Sequence, residues 1–408
     1  MSDAVDLLVI GAGPAGAAAA ITGARAGRRV TVIDKATFPR PKCCGDGLTT
    51  GCLRHLDELG LDPTTIPSWK TVTDVHLVGP DGKLRVFPLP RNAGQFAAVA
   101  RRTELDAALV ELARSAGATV YEDCAIAALR QRSDYVEVDI AGAGAPTATL
   151  TARWVLAADG MWSPTRKLLG HDLGGYRGDW HAFRQYFTNV SEQAQNQLIC
   201  WFEPDILPGY VWSFPVGDGS ANVGFGVPRG GPVSTKEMRA LWPDLLARPH
   251  IAAFLGTDAQ PEDRHTAWPI PARLGELPLS DGRVLFIGDA AAATDPMSGE
   301  GIGQALETGR LAAELVTSAD VDTAPRSIAS AYEKALARGM QRDHALAGQL
   351  TKVLANERAA TLSLAAAGLT GWTRRNFARW LFEDYPRAVL GTPKRWSRDV
   401  FRRPGAFR

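Results

Sequence analysis

The run from Val5 to Asp34 restricts this chain more than any other stretch. Val5-Asp6-Leu7-Leu8-Val9-Ile10 reads as an apolar strand, Gly11-Ala12-Gly13-Pro14-Ala15-Gly16 opens an alanine-rich helix, and Val30-Thr31-Val32-Ile33 closes on Asp34. Strand, G-x-G-x-x-G, helix, strand and acid in that order form a dinucleotide-binding βαβ unit, which dictates a Rossmann-like α/β fold. Each residue type has a task. Gly11 allows the tight turn, Gly13 lets backbone approach a pyrophosphate, and Gly16 lets the helix close on the strand. The helix start at Pro14 and Ala15 turns free N–H groups toward phosphate, and Asp34 can accept hydrogen bonds from a ribose. The motif alone leaves the nucleotide open.

At 408 residues the chain is too long for one ordinary core, so a large domain with an inserted second one is expected. Apolar content of 45% and charged content of 22% belong to a globular protein, and a formal net charge of +1 argues against nucleic acid as a partner. The cysteines, Cys43, Cys44, Cys52, Cys124 and Cys200, are odd in number and form no C-x-x-C pair, so neither a disulfide framework nor a metal site is expected. Asp3 and Asp6 stand where a signal peptide would carry basic residues, so an ordinary signal peptide is not expected. No apolar run approaches the ~18–20 residues of a membrane span. A cytoplasmic location is the expectation.

After Asp34, prolines and glycines from Pro39 to Gly47 make a loop at the carboxyl edge of the second strand. Thr50 to Leu59 has helical spacing, and Val72 to Pro90 reads as a hairpin turning at Gly79–Gly82. Another helix begins at Arg101-Arg102, followed by short strands at 119–121, 125–130, 135–140 and 148–150. Gly142-Ala143-Gly144 lacks a third glycine and a following helix, so it reads as a hairpin turn. A buried strand from Trp154 ends in Asp159-Gly160, and another from Arg283 ends in Gly288-Asp289. Between them, 183–226 reads as antiparallel strands of a second layer and 242–254 as a helix. The division predicted is a discontinuous nucleotide domain over 1–70, 100–170 and 275–330. An antiparallel substrate domain takes 71–99 and 171–274, and a helical region takes 331–408.

Two acids far downstream of the fingerprint bear on the nucleotide. Asp159 and Asp289 each follow an apolar strand, and Gly299-Glu300-Gly301-Ile302 opens a helix whose N-terminus favours negative charge. A dinucleotide gripped from both ends of the chain suits FAD. Gly11–Gly16, Ala158-Asp159-Gly160 with Ser163 and Arg166, and Gly288-Asp289-Ala290 with Pro296 and Gly299–Ile302 together resemble the para-hydroxybenzoate-hydroxylase-like FAD superfamily. Within it, Lys42-x-Cys44-Gly45-Asp46-Gly47 and Tyr210-Val211-Trp212-Ser213-Phe214-Pro215 resemble the geranylgeranyl reductase family. The resemblance implies FAD held by Gly11, Gly13, Gly16, Asp34 and Lys35 at the adenosine half, with Arg102 reaching the pyrophosphate or ribityl region. Asp289, Gly301 and Ile302 would hold the flavin end, beside Cys44 and Gly45. It implies reduction of isolated prenyl double bonds by hydride from reduced FAD, with electrons from NAD(P)H or a redox protein.

This chain departs from the family in having two adjacent cysteines, Cys43 and Cys44; register favours Cys44 as the thiol that faces the flavin. Alternation puts Tyr210, Trp212 and Phe214 on one strand face, either as sheet core or as an apolar wall for a prenyl substrate. Alkenes without activation also need a proton; Cys44 and Tyr210 are the side-chain candidates, and Trp212 a catalytic wall residue. Glu300 reads as a structural acid, and Cys52, Cys124 and Cys200 as core. Residues 371–408 hold ten Lys/Arg against three Asp/Glu with interleaved aromatics, which suits either membrane adsorption or a helical cap. The rival chemistries are a flavin monooxygenase or halogenase acting on an aromatic, and a lycopene-cyclase-like reaction without net redox.

Overall fold

A computed structural model describes residues 4–171, 174–320, 323–392 and 403–408. The first sheet has a parallel centre. Its strands run in the order Val284–Phe286, Thr149–Ala157, Val5–Ile10, Val30–Ile33 and Thr119–Tyr121. Leu7, Leu8 and Val9 are fully buried, as expected where a parallel sheet is covered on both faces. Helix Pro14–Arg25 packs against helices Ile302–Ser318 and Arg102–Ser115.

Register decides where the site lies. Ile10 pairs with Ile33 on one side and Ala157 on the other, and Ala157 pairs with Phe286. The chain therefore leaves the sheet at Gly11, Asp34, Ala158-Asp159 and Gly288-Asp289 along one edge, the edge at which open α/β sheets bind ligands.

The second sheet runs in the order Gln260–Pro261, Trp180–Thr188, Ala221–Pro228, Tyr210–Pro215, Leu198–Trp201, Asp74–Val78 and Leu84–Pro88. It is antiparallel except where Leu198–Trp201 pairs in parallel with Asp74–Val78. A third small sheet pairs Gly47 with Val99 and so pins the end of the loop that follows Asp34.

Two local expectations change. The strands expected at 148–150 and from Trp154 are one strand, because Thr151 and Ala152 continue the pairing with Glu137 and Val136 and Ala152 also pairs with Val5. The helix expected at 242–254 is two, Met238–Ala247 and Pro249–Leu255; Pro249 holds Arg248 in an extended conformation (φ −60°, ψ 130°). Gly142–Gly144 is a hairpin turn as expected, with Gly142 at φ +136°.

Helices Pro325–Arg338, Met340–Leu354, Glu357–Ala367 and Gly371–Leu381 follow the nucleotide-edge helix. The last lies on strand Leu84–Pro88, where the rings of Phe377 and Phe87 are 4.8 Å apart. Much of the basic tail is folded onto the body: Phe407 meets Trp69 edge-on at 5.6 Å, and Ala406 bridges to Gln95. Trp396 and Phe401 lie outside the described residues.

Candidate active site

The glycine turn shows how three glycines divide their labour. A Cβ on Gly16 would sit 1.8 Å from the Gly11 carbonyl oxygen, and one on Gly11 would sit 2.4 Å from that of Ala158. Those two positions are filled by the fold itself. A Cβ on Gly13 would meet only Arg40 Nη2, at 3.4 Å, so this face of the turn opens on the cavity. Helix Pro14–Arg25 starts with no side-chain cap and no acid in its first turn, leaving its N–H groups for an anion.

Asp34 has a second duty that sequence did not reveal. Its Oδ2 accepts from Ala12 N at 2.7 Å and its Oδ1 from Ala36 N at 2.8 Å, so it clamps the glycine turn while lining the cavity. Lys35 beside it is exposed at the cavity rim. Arg102 is buried and donates twice to Asp106 at 2.8 Å. Arg40 reaches the same carboxylate at 3.4 Å. Two guanidinium groups on one carboxylate, beside an open helix N-terminus, leave net positive charge for a pyrophosphate. Arg40 had no periodic or motif signal to mark it.

At the far end of the same edge, Gly288, Asp289, Gly301 and Ile302 line the cavity. The Asp289 carboxylate has no hydrogen-bond partner among the described residues, which leaves it for hydroxyl groups of a ligand. Asp159 also lines the cavity, but its oxygens accept from Ser163 Oγ at 2.6 Å and Thr165 N at 2.8 Å, fixing the start of helix Pro164–Leu168.

The two cysteines diverge. Cys44 Sγ accepts from Asp46 N at 3.3 Å and lies against Arg102, whereas Cys43 lies by Thr266 and Arg184. Burial pushes the Cys44 thiol up to about 11, so it keeps its proton at neutral pH. Beneath them lies a network that sequence reasoning missed. Asn222 donates to the Cys44 carbonyl and to Asp46 Oδ2, both at 2.8 Å, and accepts from Trp212 Nε1 at 3.1 Å. Tyr186 donates its hydroxyl to the same Asp46 oxygen, and desolvation pushes the Asp46 carboxyl above its usual range. Asn222 is fully buried inside an apolar strand. A polar residue there must find partners, and that was the available signal.

Tyr210, Trp212 and Phe214 do share one face and line the cavity, with ring centroids 5.9 and 6.1 Å apart in sequence. Trp212 lies 3.6 Å from the position of a Gly45 Cβ, so that glycine lets the loop approach the wall. The Tyr210 hydroxyl donates to the Ser298 carbonyl at 2.5 Å, and burial pushes its ionisation up. Its proton is committed to backbone.

Beside Gly301 sits a cluster of acids in which Asp295 is buried, Glu383 is half-buried and Glu300 itself lines the cavity. Glu300 accepts from Gly303 N at 2.9 Å, the structural role expected, while Glu383 accepts from Gln304 at 2.9 Å and Thr49 at 3.2 Å. Burial pushes Glu300 up to about 7 and Glu383 up to about 8. Arg387 pairs with Asp295 at 3.0 Å. Nothing in sequence announces contacts reaching from the tail to a turn some eighty residues earlier. Cys52, Cys124 and Cys200 are buried, and all five cysteines are free. Among the described residues no cluster could hold a metal ion.

A family profile described as "FAD binding domain" matches residues 4–342. The chain belongs to that family. Menaquinone reductase of Mycobacterium tuberculosis (strain ATCC 25618 / H37Rv) is 36% identical over 341 residues, covering 79% of this chain and 78% of the relative. Digeranylgeranylglycerophospholipid reductase of Methanosphaerula palustris is 29% identical over 324 residues, covering 77% of each. A solved geranylgeranyl bacteriochlorophyll reductase-like protein from Thermoplasma acidophilum superposes with a TM-score of 0.80 at 23% identity, over 97% of this chain and 100% of that one, which shows a shared fold. This member of the FAD-binding family is thus a geranylgeranyl-reductase-like oxidoreductase. The open face of Gly13, the uncapped helix and the Asp289 carboxylate, which has Lys42 as a charged neighbour but no hydrogen bond among the described residues, fit FAD. Among the described residues no helix is long and apolar enough to cross a membrane.

Proposed function

We propose that this flavoprotein reduces isolated carbon–carbon double bonds of a prenyl chain carried on a lipid, a quinone or a diphosphate. The observation that carries the reading is one continuous cavity of about 960 Å³. It joins the glycine turn to Cys44, to the aromatic face of Tyr210, Trp212 and Phe214, and onward to Leu350, Leu354 and Leu364 of the C-terminal helices. Beyond the dinucleotide end, its lining is mostly apolar and aromatic, which suits a long hydrocarbon. The names of the relatives, reductases of a menaquinone and of a digeranylgeranyl lipid, support the same substrate class.

Gly11, Gly13, Pro14, Ala15, Asp34, Lys35 and Arg102 would hold the adenosine and diphosphate half, with Arg40 added to them, while Gly16 does not line the cavity and serves only to close the helix on the turn. Gly45, Asp159, Gly288, Asp289, Gly301 and Ile302 would hold the flavin half. When bound and reduced, FAD supplies a hydride to one alkene carbon. The other carbon needs a proton, and we assign it to Cys44, which is protonated at neutral pH and lines the cavity. Tyr210 then positions the wall, because its hydroxyl already serves Ser298. Hydride plus proton saturate the bond. The chain has no second complete dinucleotide fingerprint, so NAD(P)H would visit transiently to return the two electrons, or a redox protein would deliver them.

The test is spectroscopic. Protein reduced with dithionite under argon should regain the oxidised flavin spectrum when a geranylgeranyl lipid is added. Recovery only in the presence of oxygen, with one oxygen atom gained by the lipid, would replace this reading by monooxygenase chemistry.

A further inference from the structure

The outer end of the cavity coincides with an unusual surface. Helix Glu357–Ala367 buries Ala360 and Leu364 on one side, yet on the other it presents Leu362, which is 69% exposed. Leu369 and Trp372, at 74% and 66%, continue that outer side into the next helix. A helix apolar on both sides is expected where both sides leave water. From Ala359 to Thr373 the chain has no charged side chain, while Lys352, Arg358, Arg374 and Arg375 flank the stretch against the single acid Glu357. All four cations are exposed. Val353 ties the surface to the site: it is 45% exposed and also lines the cavity.

We propose that this face, made by the end of helix Met340–Leu354, helix Glu357–Ala367 and the start of helix Gly371–Leu381, seats on an anionic lipid bilayer. The gap at Val353 is then the portal by which a bilayer-resident chain enters. This rests on the prenyl reading only for the portal; the seating follows from the surface. Leu362, Leu369 and Trp372 enter the acyl boundary, and the flanking cations meet the headgroups. The arrangement moves membrane contact from the basic tail as a whole to a defined patch, since Phe377 and Trp380 of that tail face inward to the cavity.

The test uses FAD-loaded full-length protein and sedimentation with vesicles of phosphatidylcholine, alone or with about one third phosphatidylglycerol. Binding should require the anionic lipid and fall with salt. A variant carrying Leu362→Glu, Leu369→Glu and Trp372→Glu should lose about tenfold or more in vesicle partitioning. These side chains are exposed, so its melting temperature and flavin content should match the parent. The variant should turn over a short water-soluble prenyl substrate normally and a vesicle-embedded one slowly. Binding by the variant equal to the parent, or no binding by the parent at low salt, would overturn the proposal. So would a parent dimer that the variant dissociates, because the face would then be a contact between copies. Vesicle binding without any prenyl-dependent flavin oxidation would sink the substrate reading and leave the seating intact.

Discussion

Replacing Asn222 by leucine tests whether the buried network holds the cysteine loop against the aromatic wall. Asn222 makes three hydrogen bonds, to the Cys44 carbonyl, to Asp46 Oδ2 and from Trp212 Nε1. Leucine fills a similar volume and makes none. The Trp212 N–H and the Cys44 carbonyl would then lose their partners, at roughly 1–3 kcal/mol each. Asp46 keeps Tyr186. Extra apolar burial returns about 1 kcal/mol, so a net loss of roughly 1–5 kcal/mol is expected. Urea denaturation should show a lower midpoint with an unchanged slope. Most flavin should be retained, because the adenosine and diphosphate half is held by the glycine turn, Asp34 and Arg102, none of which Asn222 touches. The rate at which a prenyl lipid reoxidises the flavin should fall more than about tenfold, as a loss of alignment near 1.4 kcal/mol already gives that factor. A parental midpoint, or loss of flavin with an unchanged midpoint, would refute this reasoning.

The glycine turn offers a paired comparison. Gly13→Ala should fold normally and lose FAD, whereas Gly16→Ala, whose Cβ would meet backbone at 1.8 Å, should fail to fold; equal behaviour in flavin titration and circular dichroism would contradict the division. Glu383 gives a pH signature. Its folded value of about 8 lies above the ordinary 4.5, so its contribution to stability is complete below pH 4.5 and is lost as pH rises toward 8. Glu383→Gln should therefore flatten the fall in melting temperature between pH 5 and 8, and an unaltered fall would rule the residue out as its source. Cys44→Ala should slow alkene reduction by about tenfold or more while Cys43→Ala changes it little, since proton donation contributes roughly 10²–10⁴-fold; the reverse order in stopped-flow traces would exchange their roles.

The parts of the molecule legible in the sequence were those set by local pattern. The strand–glycine–helix unit, the two later strands ending at Asp159 and Gly288-Asp289, and the period-two face of Tyr210, Trp212 and Phe214 all announce themselves within a few residues. The helix break at Arg248 did not, because Pro243 sits inside helix Met238–Ala247 without ending it while Pro249 starts the next helix, so proline alone does not mark the boundary. Contacts of long sequence separation were invisible for a different reason. Asn222 meets Asp46, and Glu383 meets Thr49, only after the sheets and the C-terminal helices have closed. Asp34 illustrates the middle case: its place at the edge was readable, its clamp on Ala12 was not.

The most direct test of the central claim is the mass of the product formed by dithionite-reduced protein and a polyprenyl substrate in the absence of oxygen. Prenyl reduction predicts a gain of about two mass units per bond, one hydride and one proton. A gain of about sixteen units that appears only with oxygen, or rearrangement without any change in mass, would contradict it.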